Sequence, residues 1–369
     1  MYRTLSFWLA SSLFLAGMGF AQQPRLVNAQ VQARDAASGL DGVFRGIVNG
    51  QPGPMWVAYS VPMIPGDRSM CCYNCWNGNC SSGCSIEGSA TGTMREGTVT
   101  AAPAGPAVPL EGFRDFFVFF RVEQRQVTKI RTFTPDCAID AGGLPVFMLS
   151  GVRPADSIAL LETFVKADDS SKEASREASR RFDSAISAIA NHRDGAADAA
   201  LDRFVASSQP ESIRRKSLFW LGNARGKHGY ETLTRILRDD ASDKVREEAI
   251  FGLTQSKETG AMDAVIRAAH DDKSARVRGQ ALFWLAQRAS SKISSDAIQR
   301  ALETDPDTEV KKKAVFALTQ MPNGEGIPKL IEVARSHSNA AVKKQAMFWL
   351  GQSKDARALR FFEDVLASR

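Results

Sequence analysis

The six cysteines are the side chains best suited to chemistry. Five of them, Cys71, Cys72, Cys75, Cys80 and Cys84, crowd into one loop rich in Gly, Ser and Asn, and Cys137 is the sixth. Thiolates at Cys72, Cys75, Cys80 and Cys84 have spacings that suit a zinc ion, because Cys-x-x-Cys places two sulfurs on one metal. A redox-active Cys72/Cys75 pair is a second chemistry, although a thioredoxin-like pair should open a helix and this one sits among loop residues. Disulfides are the third. The count is even, and the N-terminus reads as an export signal, so disulfides are the favoured reading. Three bridges are expected. A Cys71–Cys72 bridge is disfavoured because neighbours strain it, and Cys137 should tie a strand region back to the loop.

Other catalytic chemistry finds little support. His192, His228, His270 and His337 are scattered, none near a cysteine in sequence. No nucleophile elbow, His-Glu-x-x-His or phosphate-cradling Gly-Lys loop occurs.

A second pattern suits binding. Phe219, Phe251, Phe283, Phe316 and Phe348 recur at steps of 32, 32, 33 and 32 residues. Asn223, Gln255, Gln287, Gln320 and Gln352 follow each by four. At about 100° per helical residue the two sets lie roughly 40° apart on one face. Amides both donate and accept, so a row of them can bond an extended peptide backbone while the rings supply apolar anchors. The competing reading packs each Phe against the next repeat and uses the amides as helix caps. Trp220, Trp284 and Trp349 alternate with Gly252 and Ala317, and are expected to interdigitate as core.

These residues are positioned by a repeat. Leu218-Phe219-Trp220-Leu221-Gly222 returns as Ile250-Phe251-Gly252-Leu253, Leu282-Phe283-Trp284-Leu285, Val315-Phe316-Ala317-Leu318 and Met347-Phe348-Trp349-Leu350. A fixed period in this range marks stacked helix pairs. Each unit has a first helix with its own apolar stripe, such as Leu233/Ile236/Leu237, then a turn and the Phe-bearing helix. Arg357 to Ser368 would cover the last open face.

The pattern Asp-x-x-x-x-Val-Arg-x-x-Ala-x-x-x-Leu, as in Asp272 to Leu285, resembles the short HEAT-like repeats also found in phycobilisome lyases. The resemblance covers 197–369 and implies a fold rather than a function. It implies a bonded ladder along the stack, from Asp240, Asp272 and Asp305 to Arg214, Arg246, Arg278, Lys311 and Lys343. Ser208 and His337 stand where Asp is expected, so the ladder should be incomplete in the outer repeats. It also implies that the Phe-bearing helices face the concave side.

The rest of the chain differs in character. Arg3 and the apolar run Leu5 to Phe20 read as a signal peptide cut after Ala21. Met55 to Val61, Phe116 to Val122, Val127 to Phe133 and Leu144 to Leu149 read as strands, with a polar turn at 123–126. The expected architecture is an α+β multidomain chain: signal peptide 1–21, leader 22–43, a small cysteine-rich β-domain 44–152, a helical connector 153–196, and an all-α HEAT-like solenoid 197–369 of five repeats plus a cap helix. The net charge is +6, and residues 197–369 carry all of it, with 29 Lys+Arg against 23 Asp+Glu. That is too mild and mixed to imply nucleic acid. The expected function is an exported module binding a protein or peptide on the concave face, with no cofactor or metal. A passive envelope scaffold is the alternative, and a lyase-type or cofactor-handling protein a more distant one.

Overall fold

The computed structural model describes residues 24–66, 68–76, 79–87, 113–165 and 172–367, so the expected signal peptide lies outside the described residues. The N-terminal half runs β1 (Arg25–Val27), β2 (Gln30–Asp35), α1 (Leu40–Gly50), β3 (Met55–Pro62), β4 (Tyr73–Trp76), β5 (Asn79–Ser82), β6 (Cys84–Ser85), β7 (Asp115–Glu123), β8 (Gln126–Phe133), β9 (Ala138–Asp140) and β10 (Pro145–Ser150). Five strands form one mixed sheet in the order β2-β10-β3-β7-β8. The β7–β8 hairpin turns on Gln124 and Arg125, both at left-handed φ (51° and 61°), the primed geometry that matches the twist of a two-residue hairpin.

Both faces of the sheet are covered, which is why Phe116 to Phe120 is apolar without interruption. Val57, Tyr59, Val118, Phe120, Phe147 and Leu149 face the helices. Trp56, Ala58, Phe117, Phe119, Phe133 and Val146 face a small three-stranded sheet, β1-β9-β6, that holds Cys84 in β6 and has Cys137 just before β9. Two disulfides staple this layer, Cys71–Cys137 and Cys72–Cys84. Their closed loops, 66 and 12 residues in separation, correspond in the chain-entropy account to about 4 and about 3 kcal/mol. The Cys72–Cys84 bridge removes the zinc and Cys72/Cys75 readings. Cys75 and Cys80 oppose one another in the β4–β5 ladder, and their side chains lie outside those described.

Two stretches differ from expectation. The leader, 22–43, builds β1, β2 and the start of α1. β2 pairs in parallel with β10 at the sheet edge and is mostly exposed, so its polar composition conceals a strand. α1 docks Leu40, Phe44 and Val48 on the sheet, with Phe44 edge-on to Phe120 at 5.0 Å. The connector is likewise structural. α2 (Pro154–Glu162) and α3 (Lys172–Asn191) pair as an extra helix unit: α3 packs on β8 on one side and on the first repeat on the other. Phe182, Ile186 and Ile189 are buried there, and one continuous core runs from the sheet into the repeats.

A buried polar relay pins this junction. Ser157 Oγ of α2 lies 2.8 Å from the Tyr59 hydroxyl of β3 and 2.9 Å from His192 Nε2. His192 Nδ1 lies 2.8 Å from the Ala188 carbonyl, so Nδ1 donates and Nε2 of the neutral ring accepts. Burial pushes the imidazole down to about 4, and nearby Arg225 adds to this.

The solenoid comprises α4 (Ala196–Val205), α5 (Glu211–Ala224), α6 (Gly226–Asp239), α7 (Asp243–Gln255), α8 (Ala261–Asp271), α9 (Ala275–Arg288), α10 (Ser291–Thr304), α11 (Thr308–Gln320), α12 (Ile327–Ser336) and α13 (Ala340–Gln352), closed by α14 (Ala356–Ala367). The second helices bury the periodic set Val245/Ala249/Leu253, Val277/Ala281/Leu285 and their equivalents. Gly222 lets α5 and α7 nearly touch, since a Cβ there would sit 1.9 Å from the Gly252 carbonyl oxygen.

The ladder forms in the central repeats. Arg214 pairs with Asp240. Arg246 forks onto Asp272 at 2.9 and 3.0 Å, and Arg278 onto Asp305 at 2.7 and 2.9 Å. Asp272 and Asp305 raise the pKa of Arg246 and Arg278 through these hydrogen bonds. Each fork also grips its own turn, Arg246 on the Asp240 carbonyl and Arg278 on the Asp272 carbonyl, at 2.8 and 2.9 Å. Lys311 instead reaches the Glu303 carbonyl at 3.4 Å. Lys343 finds no carboxylate among the described residues, and His337 replaces Asp by accepting the Asn339 N–H at 3.0 Å.

Two outcomes follow from this packing. Asp272→Ala leaves the almost fully buried Arg246 (1% side-chain exposure) with Asp243, 2.7 Å away and itself 44% exposed, as its remaining carboxylate, and denaturant unfolding should show a loss of about 1–3 kcal/mol for the donors left unpaired. Because His192 has a depressed pKa when folded, the unfolded chain binds the proton more readily. Stability should therefore be full above about pH 6.5 and decline as pH falls toward 4, by on the order of 3 kcal/mol in all. Unfolding measured across that range should be flatter for His192→Gln than for the wild type.

Candidate functional site

The five phenylalanines lie along the second helices. Phe219, Phe251, Phe283 and Phe316 are half-buried, and Phe348 is 53% exposed. They are not separate anchors. Phe219 stacks on Phe251 at 5.6 Å, Phe251 on Trp284 at 4.7 Å, Phe283 on Phe316 at 6.1 Å, and Phe316 leans on Trp349 at 5.0 Å. Within helices, Phe219–Trp220, Phe283–Trp284 and Phe348–Trp349 make edge contacts near 5 Å. Eight rings thus form one unbroken band across α5, α7, α9, α11 and α13.

The tryptophans differ from the core role expected of them. Trp220, Trp284 and Trp349 are half-buried and belong to the band. Interdigitation does occur, but at the rim of the core. Repeats with Gly252 or Ala317 in place of Trp leave room for the next repeat's indole to lie on Phe251 or Phe316. The alternation of large and small residues was the sequence signal for this stacking.

The amides follow the band unevenly. Gln287 donates to Gln320 across the repeat boundary at 3.4 Å. Gln255 and Gln320 each donate to the preceding Thr hydroxyl, at 3.0 and 2.9 Å, and those hydroxyls donate to the Phe251 and Phe316 carbonyls. Gln352 is exposed. Asn223 is occupied: its side-chain and backbone oxygens accept from Arg68 of the β-domain at 3.1 and 2.7 Å. Arg68, whose guanidinium is pushed down by burial and by neighbouring Arg225, closes the N-terminal end of the amide row. A residue so distant in sequence left no signal for this contact.

Charge is graded along the band. At the N-terminal end Lys216 pairs with Asp183 at 2.9 Å, and Arg215 with Glu248 at 3.1 Å. At the C-terminal end Lys312 pairs with Glu309 at 2.7 Å, whereas Lys313, Lys343 and Lys344 have no carboxylate partner among the described residues. The one group of potential metal ligands among those residues is the sulfurs of Cys71, Cys84 and Cys137, within 4.8 Å of one another, and all three are engaged in disulfides.

Comparison with known proteins bears on the fold. The family described as HEAT repeats matches residues 230–300 and 295–369. No curated protein matches the sequence. Among solved structures, the Escherichia coli protein YibA is similar at 22% identity, covering 55% of this chain and 71% of its own, with a TM-score of 0.34. The complex of CpcE and CpcF, a phycocyanin lyase from Nostoc, is similar at 16% identity over 57% of this chain and 93% of its own, with a TM-score of 0.25. Kap121p bound to Pho4p is similar at 15% identity over 53% of this chain and 24% of its own, with a TM-score of 0.31. The repeat pattern, the stacked helix pairs and the family match together identify residues 230–369 as HEAT-like repeats.

Proposed function

We propose that this protein is an exported binding module that holds an extended peptide or protein segment along the aromatic band of its second helices. HEAT-repeat solenoids commonly serve protein interaction. The observation that carries the reading is the band itself: eight rings in continuous contact, most of them half-exposed, with amides beside them. Such a row offers flat apolar faces at low entropic cost, and amides able to bond a strand-like backbone. The close approach of α5 and α7 at Gly222 suits a stack whose second helices line its tighter, concave side. Export is supported by the two disulfides, and among the described residues no helix is long and apolar enough to cross a membrane.

Selection of a displayed peptide library on the mature chain tests this. Phe348→Ala removes a ring that is 53% exposed, so the melting temperature should hold while affinity for selected peptides falls by about 2 kcal/mol or more. Gln287→Ala should cost about 1 kcal/mol of binding, the scale of one net hydrogen bond. Selected peptides indifferent to both changes would favour a structural scaffold in the envelope.

A further inference from the structure

The disulfide layer is built asymmetrically. Cys84 and Cys137 are buried, at 3% and 0% exposure, and sit on or beside the small sheet, at β6 and just before β9. Cys71 and Cys72 are half-buried on the loop. Each bridge therefore joins one accessible sulfur to one enclosed sulfur. The two enclosed sulfurs belong to different bridges yet lie only 3.8 Å apart.

The surroundings favour charge on the sulfurs. The Cys72 N–H donates to Cys84 Sγ at 2.8 Å. Arg131, exposed on β8, places Nη2 3.4 Å from Cys72 Sγ and has no carboxylate partner among the described residues. A cation and an N–H aimed at sulfur stabilise thiolate more than disulfide, so they favour the reduced form and speed its departure.

We propose that this cluster is a thiol–disulfide exchange site that accepts electrons from an external dithiol and passes the opening inward. The dithiol's thiolate attacks Cys72 Sγ, the accessible sulfur of its bridge. The Cys72–Cys84 bond breaks, and Cys84 leaves as thiolate beside the Cys72 N–H. The second thiol of the dithiol, on losing its proton, attacks its own sulfur in the mixed disulfide and expels Cys72 as thiolate beside Arg131. The dithiol has then lost two electrons and two protons and become a disulfide. Cys84 thiolate next attacks Cys137 Sγ, which forms Cys84–Cys137 and expels Cys71. This exchange transfers no net electrons. Cys71 and Cys72 take up the two protons. The end state holds a buried bridge and an accessible pair of adjacent thiols, Cys71 and Cys72.

The test uses the full mature chain carrying Cys75→Ser and Cys80→Ser, so that four sulfurs remain to be mapped. One equivalent of dithiothreitol is added under native conditions, free thiols are blocked with N-ethylmaleimide, and peptides are mapped by mass. The expected result is blocking at Cys71 and Cys72 with a Cys84–Cys137 linkage, while circular dichroism stays native. Blocking at Cys72 and Cys84 with Cys71–Cys137 intact would overturn the inward step. Two bridges that resist reduction until the protein unfolds would overturn the exchange site altogether. Arg131→Gln should slow reduction by roughly tenfold and Arg131→Lys should restore most of it. Equal rates in all three would remove Arg131 from the proposal.

Discussion

A helix pair of this kind buries one face against its neighbour and leaves the other open, so a stack of repeats must have its two outer faces covered. At the C-terminus α14 supplies the cover, burying Ala358 and Phe361. At the N-terminus α2 and α3 act as one more helix unit, and the five-stranded sheet closes them off through Tyr59, Phe120 and Ile130. The β-domain is thus the cap of the array. His192, Ser157 and Tyr59 satisfy one another at a fully buried point between β3, α2 and the end of α3, where an unpaired group would be costly.

The sheet has a covering problem of its own. Its second face carries Trp56, Phe117, Phe119 and Phe133, too much apolar surface to leave wet. The layer that hides it has only short strands, so cross-links do what a larger core would otherwise do. The same economy makes the layer chemically distinctive. Holding a thin loop on a small sheet with two bridges brings four sulfurs into one cluster.

Along the solenoid the turns and the second-helix faces divide the labour. Arg246–Asp272 and Arg278–Asp305 join successive turns with buried forks, and the aromatic band runs along the second helices. The forks end past Arg278–Asp305, where Lys311 stands in place of the arginine and His337 in place of the next aspartate, so both the planar donor pair and its carboxylate are missing. Past that point Lys313, Lys343 and Lys344 have no carboxylate partner among the described residues, and the exposed end of the band becomes its most cationic part.

The repeats were legible in the linear chain because each position recurs in the same environment, so Val, Ala, Leu, Phe and Arg are restated five times at one spacing. The main strands were legible for a similar local reason, through unbroken or alternating apolar runs ended by turns. Three features depended on residues that meet only after folding. β2 is an edge strand whose polar side chains face water, and its strand character comes from backbone bonds to β10. The partners of Cys71 and Cys72 were open because six sulfurs admit many pairings, and only the stacking of β6 against β9 brings Cys84 and Cys137 within reach. The aromatic band was half visible. The period of the phenylalanines is a property of one helix at a time, but whether Trp284 points into the core or lies on Phe251 depends on the space left by Gly252 in the neighbouring repeat. Local spacing determines which residues share a face. Which faces meet is set by the volumes and backbone edges of other elements, and those exist only in the assembled chain.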